Sequence, residues 1–113
     1  MQKSKRDKHA DFVRIPRWWF QGKGPVGEKW KKLSGAAKLS YMYIKSGFIG
    51  KNNGNISLPY SRLKGHRGIS SPATYAKALK ELEKAGFVER TKHGGLYERC
   101  NEYRLNKELD PYL

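Results

Sequence analysis

The stretch Ile69–Phe87, ISSPATYAKALKELEKAGF, carries a helix start, a periodic body and a helix stop in one reading frame. Ser71 is placed to accept hydrogen bonds from the free amides of a first turn. Pro72 then occupies the first helical position, where a missing N–H costs nothing. Tyr75, Ala78, Leu79, Leu82 and Ala85 recur at helical spacing and define one buried stripe. Gly86 supplies a left-handed C-terminal residue. The opposite side shows Ala73, Thr74, Lys77, Lys80, Glu81 and Lys84. Its first two turns hold small, hydroxylated or cationic groups only. That composition suits a helix entering a DNA groove as well as it suits an ordinary solvated face.

The surrounding charge separates those two options. The chain has 113 residues, enough for one domain, and a formal net charge of +14. Between Glu28 and Glu81 there is no Asp or Glu, while eleven Lys or Arg occur: Lys29, Lys31, Lys32, Lys38, Lys45, Lys51, Arg62, Lys64, Arg67, Lys77 and Lys80. A field of one sign over such a span opposes folding by self-repulsion and favours a polyanionic partner. Nucleic acid is the first expectation and an anionic membrane surface the second. Cys100 is the single cysteine, so no internal disulfide can form, which fits a reducing cytoplasm. No apolar run has the length of a secretory signal or a membrane span.

Upstream, residues 1–11 are polar and mostly basic and read as a disordered arm. Phe12-Val-Arg-Ile-Pro16 reads as extended, because Pro16 disfavours helix at Ile15. Trp18, Trp19 and Phe20 follow, either as an anchor onto the core or as a platform for unpaired bases. Gly22-Lys-Gly-Pro-Val-Gly27 matches GxGxxG by letter. It lacks the preceding strand and the later acid that dinucleotide binding requires, and reads as a flexible loop. Ser34 caps a helix running to about Ser46, with Leu39, Met42 and Tyr43 sharing a face and Gly47 as the stop. Ile56–Leu58 is a short strand candidate, and Pro59 opens a brief helix to about Lys64. Phe87–Thr91 and about Leu96–Leu105 read as two strands around a Lys92-His-Gly-Gly95 tip. The tail, residues 106–113, reads as irregular.

The order is helix, short strand, short helix, turn, long helix, strand, glycine tip, strand. On the residues FVRIP…LSGAAKLSYMYI…NNGNISLPYSRLKGHRGISSPATYAKALKELEKAGFVERT, the chain resembles winged helix-turn-helix domains of bacterial, phage and plasmid regulators and replication initiators. The resemblance covers about residues 12–105. It implies an α+β, mainly α fold: a three-helix core with a small antiparallel β-hairpin wing. The chain departs from that pattern at Lys64 and Arg67, where members carry a small residue and an aliphatic, and at the extra residue in Ser70-Ser71-Pro72.

In such domains the long helix, here about Ser71–Ala85, lies in the major groove. The resemblance therefore implies Ser70, Ala73, Thr74 and Lys77 as base readers, with Lys80 on the same face. Arg62, Lys64, His66 and Arg67 would clamp phosphates beside the groove, while Lys38 and Lys45 would add field. Arg90, Lys92 and His93 would act at the wing. No Arg, Asn or Gln stands on the reading face, so base specificity should be modest and the phosphate contribution large. The implied function is DNA binding in transcription regulation or DNA replication. Two alternatives stand beside it: an RNA or single-strand binder stacking bases on Trp18, Trp19 and Tyr97, and a protein-interaction winged helix within a larger assembly. A homodimer through the aromatic N-terminal segment is a further option. No metal-ligand spacing joins His9, His66, His93 and Cys100, no catalytic constellation is legible, and no cofactor is implied.

Overall fold

In the computed structural model, residues 12–58, 69, 71–92 and 101–113 are described. Four helices and three strands occur among them, in the order α1 (Arg17–Phe20), α2 (Gly24–Lys32), α3 (Gly35–Ser46), β1 (Ile56–Ser57), α4 (Pro72–Ala85), β2 (Val88–Lys92) and β3 (Glu102–Leu105). The strands form one antiparallel sheet in the order β1-β3-β2. Three substantial helices followed by a small antiparallel sheet make a mainly helical α+β fold, consistent with winged-helix topology.

The helix α4 forms as its sequence dictates. Ser71 Oγ accepts from the Thr74 N–H, proline stands in the first turn, and Gly86 closes the helix at φ 86°. Ala78, Leu79 and Leu82 are buried. In α3, Ser34 Oγ accepts from the Ala37 N–H. The buried face of α3 is Ala37, Ser40, Tyr41, Ile44 and Lys45. The expected face of Leu39, Met42 and Tyr43 lies on its half-buried flank instead. The helix turns that way because Tyr41 and Ile44 reach the aromatic core while Lys45 meets an acid from the C-terminal tail.

One further expectation is corrected: most of the expected flexible loop 22–27 is the first turn of α2, while Trp18, Trp19 and Phe20, for which no element was expected, belong to a short helix. A buried contact orders that first turn. A Cβ placed on Gly27 would stand 2.8 Å from the Gly22 carbonyl carbon and 2.9 Å from the Trp18 carbonyl oxygen. Glycine there lets α2 pack directly against the backbone leaving α1, and Gly22 makes the turn at φ 69°. The third substantial helix is therefore α2, while the brief helix expected at 59–64 lies outside the described residues.

The sheet alternates as a half-buried antiparallel sheet should. Val88 pairs with Leu105, Arg90 with Tyr103 and Ile56 with Tyr103, and a register shift falls between Arg90 and Lys92. Val88, Tyr103, Leu105 and Ile56 face the core, while Glu89 and Arg104 face outward and pair at 2.7 Å. The strand expected from Leu96 is described from Glu102 onward.

The tail, residues 106–113, forms no helix or strand, but it is not loose. Asp110 is 1% exposed. Its Oδ2 accepts from the Tyr41 hydroxyl at 2.6 Å and from Lys45 Nζ at 2.7 Å. Lys45 Nζ also donates to the Arg14 carbonyl. Burial pushes the Tyr41 phenol up, and the Asp110 charge adds to that. Burial pulls the Lys45 ammonium down, against the opposing pull of Asp110. The expectation that Lys45 adds to the surface field is thus overturned, because its charge is internal and neutralised.

Two outcomes follow from these contacts. Gly27→Ala should destabilise the fold by about 1–3 kcal/mol, because the atoms a methyl would strike are backbone, and thermal melting reads it. Asp110→Ala should cost about 3–5 kcal/mol by stranding a buried lysine. Converting the whole network to apolar groups (Tyr41→Phe, Lys45→Met, Asp110→Leu) should recover most of that loss in a denaturant titration.

Candidate nucleic-acid interface

The outer face of α4 is built by helical spacing. At about 100° per residue, Ala73, Lys77, Lys80 and Lys84 fall within an arc of about 60°, opposite the buried stripe. All four are exposed. Lys77 and Lys84 stand about 10 Å apart along the axis. No ion pair joins Lys77, Lys80 or Lys84 to another described residue. Lys84 is absent from the expected site, although its i+7 spacing from Lys77 was visible in the sequence.

The acids of α4 flank this ridge on opposite sides, and both are occupied elsewhere. Glu81 does not serve Lys77, one helical turn before it. Its Oε2 accepts from the Ser34 N–H at 2.7 Å and its Oε1 from the Ser34 hydroxyl at 2.9 Å. Ser34 caps α3, so α4 lends a carboxylate to the N-terminus of the neighbouring helix, where negative charge is favoured. Glu83 Oε2 accepts from Arg90 Nε at 2.9 Å and Nη2 at 2.7 Å. Both carboxylates are thus turned off the ridge and satisfied within the protein.

Thr74 is half-buried, and its Oγ1 lies 3.2 Å from Ser71 Oγ, in the cap rather than on the ridge. The Tyr75 hydroxyl donates to the Leu58 carbonyl, tying the first turns of α4 to the end of β1. At the wing, Arg90 is engaged by Glu83, whereas Lys92 is exposed at the end of β2. Thr91 Oγ1 donates to the Gly54 carbonyl at 2.5 Å, holding β2 against the loop before β1. Of the expected site, Ala73, Lys77 and Lys80 share the ridge, Thr74 belongs to the cap, and Arg90 and Lys92 lie on β2. Ser70, Arg62, Lys64, His66, Arg67 and His93 lie outside the described residues, as does Tyr97. Lys38 is half-buried.

An open groove beside the C-terminal end of α4 is lined in part by Glu83, Glu89, Arg90, Arg104, Lys107 and Glu108. Its charges cancel in the pairs Glu83–Arg90 and Glu89–Arg104, so it offers no focused field to an anion. Among the described residues, no cluster of three or more His, Cys, Asp or Glu could hold a metal ion, and no helix is long and apolar enough to cross a membrane.

No protein-family model, curated protein or solved structure matches this chain.

Proposed function

We propose that the chain is a DNA-binding winged-helix protein, acting as a transcriptional regulator or a replication-initiation factor, with α4 in the major groove. The observation that carries this reading is the lysine ridge itself. Lys77, Lys80 and Lys84 line the outer face of a well-capped helix, and the two acids that would cancel them are drawn away by Ser34 and Arg90. A one-signed cationic face of this kind favours a polyanionic partner. Ala73 lies at the entering end, small enough for close approach to a thymine methyl, and Lys77 reaches toward guanine O6 or N7.

With roughly six to eight phosphate contacts, log K should fall against log salt with a slope of about −5 to −7. The test is an equilibrium titration against a labelled duplex across salt concentrations. Lys80→Ala and Lys84→Ala should each weaken binding and flatten the slope by about 1, uniformly across sequences. Lys77→Ala should do so and also relax sequence preference. Lys107→Ala, an exposed lysine beyond the sheet, should leave the slope unchanged. Duplex binding that is absent at low salt, or indifferent to the ridge lysines, would overturn the proposal.

A further inference from the structure

The chain's three tryptophans stand in different surroundings. Trp19 and Trp30 are 0% and 1% exposed, whereas Trp18 is 40% exposed. Trp18 therefore remains available to a ligand, whereas Trp19 takes the other of the two roles read for it, as an anchor onto the core. The Trp18 ring lies 6.4 Å from the Tyr112 ring at a tilt of 54°. Over that same tyrosine the Arg14 guanidinium stands at 4.5 Å, and Lys45 Nζ at 5.7 Å. A small crevice beside them, of about 10 Å³, is lined in part by Phe12, Arg14, Phe48 and Tyr112. Phe12 is 58% exposed.

The chemistry of this surface is aromatic and cationic at once. Arg14 and Arg17 are both exposed. The acid that approaches the cluster, Asp110, is buried and held by Tyr41 and Lys45, so it lends no negative charge to the surface. A purely apolar partner would leave the two guanidinium groups without a counter-charge. An unpaired nucleotide answers both features. Its base offers a π-face to the indole, and its phosphate meets the exposed guanidinium of Arg14, which stands over the Tyr112 ring.

We propose that Phe12, Arg14, Trp18 and Tyr112 form a stacking site for an unpaired base of single-stranded nucleic acid, with Arg14 and Arg17 on the flanking phosphates. The site shares no residue with the α4 ridge and does not depend on the duplex-binding proposal.

The experiment titrates tryptophan emission with an oligothymidylate of about 12 nucleotides and with an abasic strand of equal length and charge. Anisotropy of the labelled strands gives affinity, and a duplex is titrated in parallel. Because Trp19 and Trp30 are shielded, oligothymidylate should quench the Trp18 component, and the abasic strand should bind more weakly without quenching. Trp18→Ala should weaken oligothymidylate binding at least about five-fold while duplex affinity holds. Arg14→Gln, which keeps the carbonyl that Lys45 uses, should weaken it as well. Equal affinity for the abasic strand, or a cooperatively melting Trp18→Ala protein that binds oligothymidylate as tightly as its parent, would overturn the proposal. Should Trp18→Ala fail to melt cooperatively, the abasic comparison and Arg14→Gln decide. Strand binding without duplex binding would remove only the winged-helix DNA reading. Duplex binding without oligothymidylate binding would remove only the stacking site.

Discussion

Four aromatic rings hold the architecture together. Trp19 of α1, Trp30 of α2, Tyr41 of α3 and Phe87 at the joint between α4 and β2 all contact one another, with every pair of centroids 5.0–5.9 Å apart. The pairs are tilted or edge-to-face, the arrangements that ring quadrupoles prefer. Each ring comes from a different element, so moving any one element opens contacts to the other three. The cluster also explains why a four-residue helix persists. Isolated, α1 would be far too short to form, but burial of Trp19 supplies what its own hydrogen bonds cannot. Through Tyr41 the same cluster reaches Asp110 and Lys45, and so binds the tail to the segment preceding α1.

Presentation of the α4 ridge follows from how firmly that helix is seated. Leu79 and Leu82 bury its inner face, the Tyr75 hydroxyl ties its beginning to Leu58, Glu81 joins its middle to the cap of α3, and Glu83 joins its last turn to β2. Gly86 then turns the chain so that Phe87 enters the core. Each of these contacts uses a residue from the inner face or the flanks. What remains outward is one-signed by construction: a helix whose acids have structural partners and whose lysines have none among the described residues. The arrangement concentrates positive charge on an exposed surface while keeping the buried Lys45 neutralised by Asp110.

Local signals in the chain determined much of the fold by themselves. The N-cap at Ser71, the proline after it, the left-handed Gly86, the cap at Ser34 and the alternation of Tyr103 and Leu105 are all set by residues within a few positions of one another. Their chemistry acts at short range and leaves a readable pattern. The basic, acid-free span and the face of α4 that bears Ala73, Lys77, Lys80 and Lys84 were legible for the same reason, because helical period is a local property.

The tertiary structure decided what depends on distant partners. That residues 24–32 form a helix rests on Gly27 meeting the backbone at Gly22 and Trp18, a steric fit that no glycine-rich pattern announces. That Glu81 serves Ser34, forty-seven positions away, rather than Lys77 one turn before it, rests on the docking of α4 against α3. Lys45 looks like any surface cation until Asp110 is folded beside it, and Trp18 and Trp19, adjacent in sequence, are distinguished only by which of them faces the other three rings. In each case the deciding energy is a steric fit, burial or a hydrogen bond between groups that only the folded chain brings together. A sequence carries the residue types for such contacts, but not their pairing.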